Sequence, residues 1–129
     1  MKYLQLLFVT LLLCTANAGA SQPKEGIYEQ LDDVRALSFI SAQDIDASPE
    51  WQPGLDEVPL SIDDAISAVQ EFGNEPNAEF AIDRIEIKPV PKHANHWHYL
   101  ANDAKVTHYD LYIVLMDGKV IPAMIETRQ

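Results

Sequence analysis

The hydrophobic pattern is most regular in LSIDDAISAVQEFG, residues 60–73. Ile62, Ala65, Val69 and Phe72 recur at helical spacing, and Ile66 and Ala68 widen the stripe. Ser61 stands where an N-cap is wanted, with Asp64 three positions on. Asp63 and Asp64 fall in the first turn, where the helix dipole favours negative charge. Gly73 is placed to end the helix. An amphipathic helix is therefore predicted from Ser61 to Gly73.

After this helix the period changes to two. AEFAIDRIEIKPV (78–90), HWHYLA (96–101), THYDLYIVLM (107–116) and KVIPAMIET (119–127) each read as a strand. In the first, Phe80 and Ile82 lie on one parity and Ile85 and Ile87 on the other. That flip predicts a bulge near Asp83–Arg84, or a strand covered on both faces. Asp117-Gly118 predicts a two-residue hairpin of type I′. That turn sets Met116 opposite Lys119, Val114 opposite Ile121 and Ile113 opposite Pro122. The Leu111, Ile113, Leu115 side is then assigned to the helix, and Pro122 marks the last strand as a sheet edge. The fold class expected is α+β: one main helix on a four-stranded antiparallel meander in order 1-2-3-4.

The region before the helix is less regular. Ile27, Leu31, Val34 and Leu37 keep a helical spacing and predict a short helix. SPEWQPGLDEVPLS (48–61) reads as a loop, punctuated by Pro49, Pro53, Gly54 and Pro59, with Trp51 pinning it to the domain. The division expected is a signal peptide over 1–18, an N-terminal segment and Pro-rich loop over 19–58, and the α+β domain over 59–129.

The signal peptide follows from the first twenty residues. Lys2 precedes the apolar run YLQLLFVTLLLC, and Ala16 and Ala18 give an Ala-x-Ala cleavage pattern, with a second option after Ala20. The run is shorter than the ~20 residues a bilayer span needs. The expectation is a periplasmic or secreted protein that does not stay in the membrane. Cleavage after Ala18 removes Lys2 and Cys14, the one cysteine, so packing must hold the mature domain without disulfides. The mature chain keeps 20 acidic against eight basic residues, a formal charge of −12. Such a surface repels nucleic acid and anionic lipid.

Composition offers little catalytic chemistry. There is no Gly-x-Ser-x-Gly, no Ser-x-x-Lys and no phosphate loop, and the paired acids Asp32-Asp33 and Asp63-Asp64 are adjacent, so on a helix they point apart. No enzyme is expected. The exception to this blandness is KHANHWHYL (92–100), which holds three of the four histidines. On a strand His96 and His98 share one face, and Trp97 and Tyr99 share the other, the better core face. The hairpin register brings His108 and Asp110 to the histidine face. His96, His98, His108 and Asp110, with His93 as a substitute, form an acceptable ligand set for Zn²⁺ or Cu²⁺. The same pattern also fits a solvated polar face or a pH-responsive binding surface. Tyr112, Val114, Met116, Ile121 and Ile125 fall on that face too, which makes it more apolar than a wet face needs. It is expected either to be covered by residues 27–50 or to bind a partner.

The order PLSIDDAISAV, then strands ending in YDLYIVLMDGKVI, resembles the PepSY domain family. Ser61, Ala65, Tyr109, Asp117 and Gly118 stand at the places of its helix and hairpin motifs, and Trp51, Pro53 and Gly54 resemble a W-x-P-G loop of small exported relatives. The likeness covers residues 59–127. It implies a non-catalytic module without cofactor that binds a peptidase or another envelope protein, with Ser61 capping, Ala65 packing and Asp117-Gly118 turning.

Overall fold

A computed structural model describes residues 24–31, 34–73, 82–105 and 108–127. The signal peptide lies outside the described residues, as does Phe80. Among the described residues no helix is long and apolar enough to cross a membrane.

The molecule is mostly β, which corrects the α+β expectation. Two antiparallel sheets, one of three strands and one of four, carry the architecture, and the two helices are short. The larger sheet is the meander β3 (Ile82–Pro89), β4 (Trp97–Lys105), β5 (His108–Leu115) and β6 (Val120–Pro122), in that order. The smaller is β1 (Lys24–Leu31), β2 (Val34–Ser41) and β7 (Met124–Thr127). A one-and-a-half-turn helix α1 (Ala42–Ala47) follows β2, capped by Ser41. The helix α2 (Ile62–Phe72) is the amphipathic one.

The short helix expected near residues 27–37 is instead the β1–β2 hairpin. Its register runs from Lys24↔Ser41 to Leu31↔Val34. The inward positions include Ala36 and Ser38 as well as Ile27 and Ile40, so a small and a polar residue interrupt the apolar alternation. The helical spacing of 27, 31, 34 and 37 is a coincidence between two strands. Tyr28, Phe39 and Met124 are exposed on the outer face, where the Arg35 guanidinium lies 4.7 Å from the Tyr28 ring centroid.

The last predicted strand is two strands. At Ala123 the chain leaves the four-stranded sheet, and β7 pairs with β2, closing the second sheet with the chain's end. Ala123 N–H still donates to Leu111 C=O, 2.9 Å, at the crossing. Pro122 ends β6 on the sheet edge, where its missing N–H is not needed.

The hairpin between β5 and β6 differs from expectation by one residue. Gly118 N–H donates to Leu115 C=O and Leu115 N–H to Lys119 C=O, both 2.9 Å, and Gly118 has φ +90°. This is a three-residue loop in which Gly118 takes the left-handed position after a turn at Met116-Asp117. Val114 therefore faces Val120 and Ile113 faces Ile121. A one-residue slip exchanges the faces of β6 relative to β5. The face of β5 assigned to the helix is also the other one. Ala65 and Val69 of α2 pack with Tyr99, Ala101, Val114 and Met116, not with Leu111, Ile113 and Leu115. Those three pack with Leu100 against Ile27, Ala36, Ile40 and Ile45 from the N-terminal hairpin and α1. The four-stranded sheet is thus the middle layer, with α2 on one face and the small sheet on the other.

Candidate functional site

Trp97 and Tyr99 face α2, as the alternation in β4 predicts. The opposite face is not open to water, because the small sheet covers it. His96 is 7% exposed and His98 1%. Burial pushes His98 down to about 4, with the nearby Lys88 ammonium adding to the effect, so it is neutral at physiological pH. Both its ring nitrogens are buried without a hydrogen-bond partner among the described residues.

The β4–β5 register answers where the four candidate metal ligands lie. His98 pairs with Leu115, Asp110 with Asp103 and His108 with Lys105. The His98 and His108 rungs are seven residues apart, about 23 Å along the strands at ~3.3 Å per residue. The structure does not bring the four together. Among the described residues no group of three or more potential ligands converges on one point.

His93 and His96 do something else. His93 Nε2 is 3.3 Å from Glu25 of β1, and its Nδ1 is 3.6 Å from Asp46 of α1. The Ser48 hydroxyl donates to Ile45 C=O, so at 3.2 Å it is His96 Nδ1–H that donates to Ser48 Oγ. His96 Nε2 then looks to Glu50 at 3.8 Å. Each nitrogen addresses a different partner, so the loop ties the two sheets together at one end. Lys88 adds a stitch along the same margin through Glu29, 2.5 Å.

The α2 face is built differently. The helix packs mainly on β5 and β6, and on β3 Ile85 sits half-buried at the margin of its cluster while Ile87 stays exposed. Between β3 and the Trp51 loop an open groove of about 600 Å³ is lined by Trp51, Val58, Ile62, Asp63, Ile87 and Tyr99. Its walls are held from behind. Trp51 N–H donates to Asn95 C=O at 2.8 Å, its indole N–H to Asp56 C=O at 3.0 Å, and its ring meets Trp97 edge-on at 5.2 Å. Tyr99 donates to Leu60 C=O at 2.6 Å, and burial pushes its hydroxyl up, keeping the proton that makes this bond. That bond fixes the residue before the Ser61 cap, which accepts from Asp64 N–H at 3.1 Å. Ile62 and Ile87 remain 51% and 37% exposed in this otherwise ordered setting.

Among the described residues β3 is a sheet edge, and its Ile87 lines the groove. Val90 N–H donates to His96 C=O, 2.8 Å, which sets the alternation of the β3–β4 ladder. Lys88, Glu86 and Arg84 therefore turn their backbone groups toward β4, and Ile85 and Ile87 present theirs outward. Pro89 offers only a carbonyl there. The bulge predicted at Asp83–Arg84 is present as a register shift between Ile82 and Arg84 and ends the regular stretch. Ile87 and Ile62 are the site residues that the pattern alone does not single out. Ile87 looks like any strand isoleucine, and only its place on an edge beside Trp51 makes it different.

No family model, curated protein or solved structure matches this chain.

Proposed function

We propose that this protein is a non-catalytic, exported binding module of PepSY-like type that takes an extended segment of another protein along β3. A peptidase or another protein of the cell envelope is the partner class in view. The observation that carries the reading is the outward backbone of Ile85 and Ile87 beside the groove of Trp51, Ile62 and Ile87. Strand addition needs both parts: free main-chain groups for affinity and pockets for alternate side chains for specificity. The groove supplies the second on the side where a strand added to β3 would place every other residue. The Pro89 ring and the bulge at Asp83 bound the free edge, which limits open-ended pairing.

Trp51 lines the groove and meets Trp97, the protein's other tryptophan, edge-on, so their emission reports occupancy. Titration with a pool of nine-residue β-forming peptides is expected to change that emission saturably in the purified protein. The response should disappear in Ile87→Lys, a change at an exposed position that leaves the fold intact. A pool that never gives a saturable change would count against strand docking.

A further inference from the structure

The charge around the groove specifies its occupant further. Between Arg35 and Arg84 the chain carries eleven carboxylates and no lysine or arginine. This stretch supplies the Trp51 loop and α2, hence one whole wall. Asp44, Asp46 and Glu50 are engaged with Lys119, His93 and His96. Asp63 lines the groove, and Asp56, Glu57 and Asp64 lie next in sequence to its loop and helix walls; all four are exposed, and no ion pair with a described residue neutralises them. The α2 N-terminus opposes them with about half a positive charge, which two first-turn carboxylates outweigh. The cations of β3 do not cancel this field either. Arg84 is paired with Glu86, and Lys88 with Glu29 and Glu86, on the side of the sheet away from the groove.

We propose that the segment bound along β3 is basic: apolar residues at alternate positions enter the groove, and flanking lysines or arginines meet Asp56, Glu57, Asp63 and Asp64. This rests on the reading of β3 as a docking edge. Apolar contact with Ile62, Ile87 and Trp51 holds the centre of the segment, and the exposed carboxylates steer it in and reject acidic segments. The discrimination is electrostatic and weakens as salt shortens the screening length to below ~10 Å.

The test compares two synthetic peptides, acetyl-KRTVTITKR-amide and acetyl-EDTVTITED-amide, by tryptophan emission and calorimetry on the purified protein. The basic peptide is expected to bind ~10-fold or more tightly than the acidic one at low salt, with the gap closing as salt is raised. The double change Asp63→Asn/Asp64→Asn, checked for retained fold by circular dichroism, should narrow the gap, and Ile87→Lys should abolish binding of both. Equal affinities for the two peptides overturn the basic preference and leave the docking edge standing. Binding of neither overturns the edge itself. Sedimentation that shows a dimer lost on Ile87→Lys would mean that a second copy occupies the edge, and also overturns the proposal.

Discussion

The two faces of the four-stranded sheet are covered by different means and to different extents. On one, the β1–β2–β7 sheet and α1 cover β4 and β5 so fully that a histidine is sealed in, and the margin is stitched by Lys88–Glu29 and the His93 and His96 contacts. On the other, a single eleven-residue helix packs mainly on β5 and β6, with Ile85 of β3 at the margin of its cluster and Ile87 left exposed. Fuller cover yields rigidity. Partial cover leaves apolar surface beside a strand edge that no described strand pairs with, which is what a docking site requires. The contrast assigns stability to one face and binding to the other.

Several substitutions separate these roles. Leu115→Ala removes a side chain that is 0% exposed on the sealed face and is expected to cost about 2–5 kcal/mol in a urea titration. The His98 effect is next. Its folded value of about 4 lies below the ~6.5 of an unfolded histidine, so between those values the unfolded chain holds a proton that the folded chain lacks. Stability should fall as pH drops from about 6.5 to 4, by up to about 3 kcal/mol from this residue. His98→Leu, which exchanges two unpartnered ring nitrogens for apolar atoms, should flatten that dependence without loss at pH 7. On the helix side, Ser61→Ala removes a cap and should cost about 1 kcal/mol. Ile62→Ser and Ile87→Thr should shift stability by no more than ~0.5 kcal/mol, since both side chains are already partly in water, while weakening peptide binding. A groove substitution as costly as Leu115→Ala would erase the division between the faces.

The helix side was the more legible in the sequence. Ser61, Gly73 and the Ile62–Phe72 stripe are local signals, and α2 follows from them almost residue for residue. The four strands of the meander and the bulge in β3 were also legible, because period two survives within each. The sealed face was not. Its cover comes from residues 24–41 and 124–127, opposite ends of the described chain, and the β1–β2 alternation is hidden by Ala36 and Ser38. The face assignment failed because both faces of β5 are apolar and both are covered, Leu111, Ile113 and Leu115 on one and Val114 and Met116 on the other; the turn at Asp117-Gly118, one residue longer than expected, shifted β6 as well. The groove was illegible because Trp51, Ile62 and Ile87 meet only in three dimensions.

The central claim is that an extended basic segment adds to the β3 edge. Amide hydrogen exchange followed by NMR, with and without saturating KRTVTITKR peptide, tests it at the atoms concerned. The Ile85 and Ile87 amides should exchange fast in the free protein and become protected by ~10-fold or more when the peptide is bound, because each then has a strand partner. Unchanged exchange at Ile85 and Ile87 in a protein shown to have bound the peptide would contradict the account.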